Sequence, residues 1–435
     1  MRRVVLLAGG VLLAGAGLFM SSGAGPSKAT PKASIEGDKL VDSKAPATEV
    51  ATFEALASGS PKAAAVGDLQ LDKLRLEDGH YVAPLKDGRR AILTLDPDLQ
   101  QLAEKLLNES RAPRGAIVAM STDGRILALA GRRTDEPKGG KQGTFDYHLA
   151  TDVWAPAASV FKLVTASALV SNGYDPSAKV CYHGGVRSVM ESNLVDSKSD
   201  HSCETLGYGV AHSNNAILGK LAFQNLEPAL LDRTARDLGW ASVASFGVQA
   251  TCGELALPKD KDLEFAKAAA GFEGSRLSVL GGALLASTFA DKGEQPTPRI
   301  IESIAGKPVD PGKPHRVLDA KVASAVAEMM VGTCESGSAA KSFRKHRIEV
   351  AGKTGTLTTN KPFYMEHSWF VGFAPVDQPE IVVSVLLGNP QSWHLRGHEA
   401  AKRLIDRALG PATRRAADRE AATADPADRT AKRAK

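Results

Sequence analysis

The chain has 435 residues, of which 43% are hydrophobic, so it is long enough to form a globular domain with a sizeable core. Its 54 basic and 49 acidic residues leave a net charge of only +5. No long basic stretch is interleaved with aromatic residues, which argues against a nucleic-acid partner.

The first 21 residues have the pattern of an export signal. Arg2 and Arg3 precede an apolar run from Val4 to Met20, and a small, polar stretch follows. The run of about 17 residues is at the lower limit for crossing a bilayer, so it fits both a retained anchor and a cleaved signal peptide. We expect the rest of the chain to lie on the outer, periplasmic side of the cytoplasmic membrane, or to be secreted.

Composition divides the remaining chain into three parts. Residues 22–88 are expected to form a flexible tether and a poorly defined lead-in, because they begin rich in Ser, Ala, Gly, Pro and Lys and later show no clean period. Residues 89–410 carry clear strand and helix patterns. Residues 411–435 are rich in Ala and mixed charges without an apolar stripe, which predicts a disordered tail.

Within residues 89–410, strands are predicted at both ends and helices mostly between them. The predicted strands are 90–95, 115–120, 125–130, 347–354, 368–374 and 381–387. Helices are predicted from Pro97, at 157–172, 211–224, 228–238, 276–291 and 319–335, and at 395–409. This order predicts an α/β fold of the α+β type, with one antiparallel sheet built from both ends of the domain and packed against a mostly helical subdomain.

A Ser-x-x-Lys element at Ser159–Lys162 is a candidate nucleophile site. The pattern is weakly specific, since Ser338–Lys341 and Ser342–Lys345 also match it. Ser159 stands out because a strongly apolar helix body follows it, whereas the rival matches lie in a polar, basic stretch. Pro156 is expected to begin that helix, with Ser159 in its first turn. Residues three apart share a helix face, so Lys162 is expected to reach the Ser159 hydroxyl.

Two further elements follow in order: Ser213-Asn214-Asn215 and Lys353-Thr354-Gly355-Thr356. The first is the only Ser-x-Asn in the chain and reads either as a helix cap or as a hydroxyl and an amide for substrate. The second sits on a predicted strand, where Gly355 lets a ligand approach the edge and the ammonium and hydroxyls suit a carboxylate. Its alternative reading is an edge strand protected by Lys and Gly.

Four cysteines, Cys181, Cys203, Cys252 and Cys334, permit three complete pairings. Export favours disulfides, and we expect the pairs Cys181–Cys203 and Cys252–Cys334. A zinc site made of Cys181, His183, His201 and Cys203 is an alternative, although its spacings are not those of common zinc modules. Free thiols are the third reading, and no metal is expected.

Residues 89–410 resemble the transpeptidase domain of penicillin-binding proteins. The ordered trio of motifs carries the resemblance, since it is shared by serine β-lactamases and penicillin-binding proteins. Residues 93–100 and 115–120 look like the opening segments of that domain. Residues 277–279, 298–299 and 368–374 look like its later landmarks. The resemblance implies a β-lactamase/transpeptidase-like fold.

The resemblance also implies a role for each motif residue. Ser159 is the nucleophile, neutral Lys162 the general base, and Ser213 the relay of a proton to the leaving amine. Asn215 holds the substrate amide, and Lys353, Thr354 and Thr356, around Gly355, bind the terminal carboxylate. The N–H groups of Ser159 and Thr356 form the oxyanion hole. No metal or organic cofactor is implied.

The expected function is a peptidoglycan D,D-transpeptidase that cross-links stem peptides through a Ser159 acyl-enzyme and binds penicillin covalently. A D,D-carboxypeptidase uses the same residues with water as the acceptor. A β-lactamase needs a base for that water, and Glu254-Leu255-Ala256-Leu257 only half-matches the loop that supplies it in class A enzymes. A non-catalytic scaffold or sensor is the fourth reading, and the intact motif residues argue against it.

The expected partners follow from that function. They are stem peptides carrying a D-Ala-D-Ala donor or an acceptor amine, β-lactams, and the cytoplasmic membrane through the N-terminus. The short stretch before residue 89 leaves no room for a glycosyltransferase domain or a large pedestal module. A separate glycan polymerase is therefore expected.

Overall fold

A computed structural model describes residues 68–134, 146–185, 187–361 and 363–423, with side chains as far as residue 410. The expected signal or anchor at residues 1–21 and the tether as far as residue 67 lie outside these ranges, as does the tail from residue 424. Within the described ranges, no helix is both long and apolar enough to span a bilayer.

The helices are numbered in chain order. They are α1 (Pro97–Ser110), α2 (His148–Thr151), α3 (Lys162–Ser171), α4 (Leu206–Ala211), α5 (Asn215–Asn225), α6 (Pro228–Asp237), α7 (Leu263–Ala269), α8 (Val279–Ala290), α9 (Ala320–Glu335), α10 (Ala340–Phe343) and α11 (Gly397–Thr423).

The strands are numbered in the same way. They are β1 (Arg75–Glu77), β2 (His80–Pro84), β3 (Arg90–Leu93), β4 (Arg114–Ser121), β5 (Ile126–Arg133), β6 (Ala155–Pro156), β7 (Lys179–Tyr182), β8 (Ser202–Thr205), β9 (Val243–Ser245), β10 (Gln249–Thr251), β11 (Gly253–Leu255), β12 (Ser275–Leu277), β13 (Glu294–Gln295), β14 (Ile301–Ile304), β15 (Lys307–Pro308), β16 (His315–Arg316), β17 (Ala351–Thr359), β18 (Met365–Ala374) and β19 (Ile381–Asn389).

A five-stranded antiparallel sheet in the order β17-β18-β19-β4-β5 forms the centre of the domain. Its two parts join where β19 pairs with β4, with Val385 opposite Ile117. β17 is consequently an outer strand. The prediction of one antiparallel sheet built from both ends of the domain is confirmed.

The central sheet is covered on both faces, so its middle strands are almost entirely apolar. Alternate residues of β18 divide between the two faces: Trp369 and Val371 join the core shared with the helical middle, whereas Phe370 joins the core shared with α1 and α11. All of α8 is buried on the first face. Its Gly282 allows this close approach, because a Cβ there would lie 2.6 Å from the Ser384 Oγ.

The folded region begins before residue 89, which corrects the expected boundary. β1 and β2 pair with each other and with β3, and β14 and β15 complete a second five-stranded sheet. The hairpin between β1 and β2 turns at Asp78 and Gly79, both with positive φ. Strands of three and five residues are too short to show a clear alternation of apolar residues, so the sequence did not predict β1 and β2.

The C-terminal helix extends beyond its predicted end. α11 runs to Thr423, so part of the predicted disordered tail is helical. Ala, Arg and Glu make up most of residues 412–423 and are strong helix formers, so no apolar stripe is needed to continue a helix already begun. Residues 424–435 of the predicted tail lie outside the described residues.

The cysteines follow the expected pairing only in part. Cys181 and Cys203 form a disulfide that joins β7 to β8, so their sulfurs do not serve the alternative zinc site. Cys252 and Cys334 are free and buried, and the expectation that they pair is wrong. They belong to cores on opposite faces of the central sheet. No cluster suited to a metal ion occurs among the described residues.

Candidate active site

Ser159 lies in a tight turn and not in the first turn of a regular α-helix. Pro156, expected to begin the helix, belongs to β6 and pairs with Arg276 of β12. A 3₁₀ turn over Ala158–Phe161 follows, with Ala158 at φ 50°, and α3 begins at Lys162. The two helix types place side chains at similar spacing over one turn, so the apolar pattern did not separate them.

Two contacts hold this turn against the rest of the domain. The Trp369 side chain on β18 donates a hydrogen bond from Nε1 to the Pro156 carbonyl at 2.9 Å. Gly271 packs so closely that a Cβ there would lie 2.2 Å from the Ala158 carbonyl oxygen. The position of Ser159 is therefore fixed from both the sheet and the helical side.

Lys162 connects the first motif to the second. Its Nζ lies 2.8 Å from the Ser159 Oγ and 2.8 Å from the Asn215 Oδ1. It also donates to the Ala270 carbonyl at 2.6 Å, a partner that the sequence did not indicate. The expected contact between Ser159 and Lys162 is present, and Asn215 joins it.

The electrostatics of Lys162 favour its neutral form. The side chain is fully buried, and this burial, with the nearby charge of Lys353 as a second cause, lowers the pKa of Lys162 well below the usual lysine range. An amine with a lowered pKa next to a hydroxyl is the arrangement required of a general base.

The second motif combines a helix cap with two site residues. Asn214 caps α5, since its Oδ1 accepts the Ile217 N–H at 3.1 Å. Ser213, just before it, has φ 56°, which is uncommon for a residue with a side chain. The cap reading of this motif therefore applies to Asn214, whereas its neighbours Ser213 and Asn215 contact Lys353 and Lys162.

Lys353 on β17 is the second buried cation of the site. Its Nζ donates to the Ser213 Oγ at 3.0 Å and to the Thr354 carbonyl at 2.9 Å. The side chain is 0% exposed, and burial lowers the pKa of Lys353 to about 7. Its charge is thus easily lost unless an anion approaches.

The rest of the third motif lies along the outer strand beside the Ser159 turn. A Cβ on Gly355 would meet Trp369 Cβ at 3.2 Å, Val160 Cγ2 at 3.3 Å and the Ala157 carbonyl at 3.4 Å. A side chain at this position would therefore press against the protein itself, so glycine favours close packing of the strand on the turn. Thr356, one residue further, is exposed.

Ser338, which belongs to one of the rival Ser-x-x-Lys matches, is a neighbour of the third motif. Its hydroxyl hydrogen-bonds to the Thr354 hydroxyl and not to a lysine. Lys341, its partner in the rival motif, is exposed. Ser342 of the other rival bonds to His398 Nδ1 at 2.8 Å. Neither rival reproduces the buried lysine found beside Ser159.

A network of buried charges supports the helix that carries Asn215. Lys220 on α5 is fully buried and donates to the Cys181 carbonyl and to Asp200 Oδ2, each at 2.8 Å. Asp200 also contacts His183 Nδ1 at 2.6 Å. At the start of α5, the Gly185 carbonyl accepts the Asn215 N–H at 2.9 Å. The segment between Cys181 and Cys203 is thus attached to α5 through the Lys220 side chain and through the Asn215 N–H. No pattern in the sequence predicted this attachment.

The structure therefore brings the predicted site residues to one place. Ser159, Lys162 and Asn215 form one hydrogen-bonded group, and Ser213, Lys353 and Thr354 form another. Gly355 packs against the turn that carries Ser159 and so joins the two groups. Among the described residues, no carboxylate hydrogen-bonds to Ser159, Lys162, Ser213 or Lys353.

Comparison with known proteins shows the family of the chain. A family profile described as the penicillin binding protein transpeptidase domain matches residues 115–409, more than half of the chain. The chain belongs to this family. The resemblance inferred from the motif trio is thereby confirmed, and the mixed fold with antiparallel sheets agrees with the β-lactamase-like fold of the family's domains.

Individual relatives are distant but aligned over most of the transpeptidase domain. The chain is 27% identical to the probable peptidoglycan D,D-transpeptidase PenA of Neisseria flavescens, over 70% of this chain and 77% of that protein. It is 24% identical to the peptidoglycan D,D-transpeptidase PbpA of Mycolicibacterium smegmatis, covering 69% and 67%. It spans only about half the length of several other curated relatives.

Among solved structures, penicillin-binding protein A from Mycobacterium tuberculosis, in its imipenem acyl-enzyme complex, superposes with a TM-score of 0.62. It is 21% identical and covers 74% of this chain and 80% of that one. At that identity, the likeness establishes the fold of the transpeptidase domain.

Proposed function

We propose that the chain is a serine-type D,D-transpeptidase that cross-links peptidoglycan stem peptides through an acyl-enzyme at Ser159. The observation that carries the proposal is the contact of 2.8 Å between the Lys162 Nζ and the Ser159 Oγ, made by a lysine whose pKa burial lowers well below the usual range. Family membership and the relatives named as peptidoglycan D,D-transpeptidases support it.

The first step is acylation of Ser159. Neutral Lys162 takes the hydroxyl proton, and the Ser159 Oγ attacks the carbonyl carbon of the penultimate D-alanine. The carbonyl oxygen becomes an oxyanion, which the N–H groups of Ser159 and Thr356 stabilise. Preorganised donors of this kind commonly contribute about a hundredfold or more to the rate.

The second step is loss of the terminal D-alanine. Ser213 gives its proton to the leaving nitrogen while the C–N bond breaks, and the proton that Lys162 took from Ser159 replaces it, so Lys162 becomes neutral again. The Lys353 Nζ, 3.0 Å away, donates a hydrogen bond to the Ser213 hydroxyl oxygen. An amine from a neighbouring stem peptide then attacks the ester. The new amide bond forms as the C–O bond to Ser159 breaks, and the amine proton, taken up by Lys162, passes to the Ser159 Oγ. A β-lactam enters the same step, but its leaving nitrogen stays attached to the acyl group.

Substrate binding is assigned to the polar groups around the nucleophile. The terminal carboxylate of the donor, or the carboxylate of a β-lactam, binds to Lys353 and to the hydroxyls of Thr354 and Thr356. The side-chain amide of Asn215 holds the peptide amide, in an orientation fixed by its contact with Lys162. No step requires a metal ion or an organic cofactor.

A long-lived acyl-enzyme is favoured over rapid hydrolysis. Glu254, the residue that half-matches a β-lactamase loop, lies on β11 and pairs with Arg276 at 3.3 Å. The described carboxylates do not hydrogen-bond to the nucleophile or its lysines, which supports a transpeptidase over a class A β-lactamase.

We further propose that residues 1–21 direct the chain out of the cytoplasm and tether it to the membrane, with the transpeptidase domain on the outer side. The cationic start and the apolar run support this proposal. A transpeptidase there uses glycan strands made by a separate polymerase.

The test is a reaction of the full chain with a stem peptide ending in D-Ala-D-Ala, with and without an acceptor amine, followed by mass spectrometry. We expect free D-alanine and a cross-linked product. Ser159→Ala should give neither, whereas Ser342→Ala, a change in a rival motif, should leave both unchanged. Hydrolysis without cross-linking would indicate a carboxypeptidase, and absence of any D-alanine release would contradict the proposal.

A further inference from the structure

A strongly cationic groove lies outside the proposed catalytic site. It runs between α11 and the segment that links α9 to β17, and its volume is about 970 Å³. We call it the basic groove. Its lining includes one carboxylate, Asp406, and five lysine and arginine side chains: Lys341, Arg344, Lys345, Arg347 and Lys402.

Buried anchors fix the linking segment that forms one wall of the basic groove. Phe343 is buried, with its ring 5.3 Å from that of Phe370. His346 is held by Asp406 at 2.6 Å and by the Ile348 carbonyl at 2.8 Å. These alternate anchors leave Lys341, Arg344, Lys345 and Arg347 exposed. The cations are therefore presented by a fixed backbone.

The positive charges of the basic groove are not neutralised by acidic residues that line it. Asp406 is already engaged by His346 and by the Lys402 Nζ at 2.6 Å. In the part of the chain that the structure describes, no carboxylate pairs with Lys341, Arg344, Lys345 or Arg347. Like charges gathered in a concave surface raise the local potential and concentrate anions there.

The basic groove begins next to the proposed catalytic strand. Ser338 lines the groove, and its hydroxyl bonds to that of Thr354. A long ligand in the groove would thus end one side chain away from the third motif.

We propose that the basic groove binds a linear polyanion with closely spaced phosphate groups and thereby holds the enzyme on an anionic polymer. The two guanidinium groups offer paired donors that match phosphate oxygens. The concave shape admits a single chain, whereas a flat bilayer surface would contact only its rims. This inference goes beyond the proposed function and does not depend on it.

The test measures binding of inorganic polyphosphate to the purified full chain. Wild type should bind at low salt and lose about tenfold or more in affinity when salt is raised from about 50 to about 200 mM, as counterion release requires. The double variant Lys345→Glu/Arg347→Glu should bind at least about tenfold more weakly. Absence of binding by wild type at low salt would overturn the proposal.

The matched control is Lys307→Glu/Lys313→Glu, which changes the net charge equally at two exposed lysines outside the groove. It should keep the wild-type affinity, and an equal loss would show a net-charge effect and overturn the groove assignment. Unfolding midpoints equal to wild type show that both variants fold. Polyglutamate should bind more weakly than polyphosphate. Binding to anionic vesicles but not to polyphosphate would instead identify a membrane contact and contradict the proposal.

Discussion

The Lys353 Nζ lies 3.0 Å from the Ser213 hydroxyl, although the two residues are 140 positions apart in the chain. This bond joins the outer strand of the sheet to the loop before α5. It places the cation that is proposed to bind carboxylate against the hydroxyl that is proposed to protonate the leaving group. In the proposed mechanism, carboxylate binding and proton delivery are thus coupled through one contact.

The rate of acylation should depend on pH through both lysines. Because the base must be neutral, acylation should increase as pH rises through the pKa of Lys162, which burial holds well below the usual lysine value. Because carboxylate binding needs a cation, the second-order rate constant should fall again as Lys353 loses its proton near its pKa of about 7. Stopped-flow acylation by a chromogenic cephalosporin over a pH series measures this.

A bell-shaped profile is the expected result of that pH series. Its two apparent pKa values describe the pair of lysines together and not either residue alone. Lys353→Arg keeps the positive charge at high pH and serves as the control. In this variant the fall in rate constant should move to higher pH or disappear. A flat profile across a series that extends well below and well above the Lys353 pKa of about 7 would contradict the assignment of the two lysines.

Replacing Lys162 with methionine should reduce acylation by roughly a thousandfold, the contribution expected of a positioned general base. The side chain is of similar length and the site is buried, so folding should be retained. The measurement is the rate of covalent labelling at saturating β-lactam. Lys341→Met, in a rival motif, is the matched control and should label at the wild-type rate. A Lys162→Met rate within about tenfold of wild type would exclude the base role.

Gly355→Val should displace the turn that carries Ser159 without contacting Ser159 itself. The new side chain would be forced against Val160 and the Ala157 carbonyl, both next to Ser159. Overpacking of this kind costs roughly 1–3 kcal/mol in the free energy of unfolding. We also expect acylation to slow by about tenfold or more, since small misplacements of reacting groups are costly. Denaturant unfolding and labelling rates test the two effects separately, and Gly355→Ala should show a smaller effect on each.

Asp200 should make stability depend on acid pH. Burial alone would raise the pKa of its carboxyl, but hydrogen bonds from His183 and Lys220 lower it to about 2. Its contribution is therefore present above the unfolded value of 3.8 and is lost as pH falls toward 2. Thermal unfolding midpoints of wild type should fall more steeply than those of Asp200→Asn over that interval. Parallel curves would show that Asp200 makes no pH-dependent contribution to stability.

The cysteines give a simple count. With one disulfide and two buried thiols, denatured unreduced protein should react with two equivalents of a thiol reagent, and native protein with none. Absence of reactive thiols after denaturation would restore the pairing of Cys252 with Cys334.

The sequence predicted which residues lie together at the candidate site, because those residues belong to short motifs. Ser159 and Lys162 are three residues apart, and any helical turn brings such residues together. The sheet was also predictable, since its long strands carry clear apolar patterns. The 3₁₀ turn at Ala158, the short β1 and β2 strands, and the Lys220–Asp200 contact depend on tertiary packing and had no local signal.

The pairing of the cysteines also depends on tertiary structure that the sequence does not report. Cys181 and Cys203 lie on strands that face each other, whereas Cys252 and Cys334 are buried in different cores. Pairing depends on distance in the folded chain, and spacing along the sequence does not report it.

The most direct test of the central claim is mass spectrometry of the intact protein after incubation with penicillin G, followed by peptide mapping of the adduct. The structure predicts one covalent penicilloyl group per chain, attached to the Ser159 side chain and lost in Ser159→Ala. An unmodified wild-type chain, or an adduct on another residue, would contradict it.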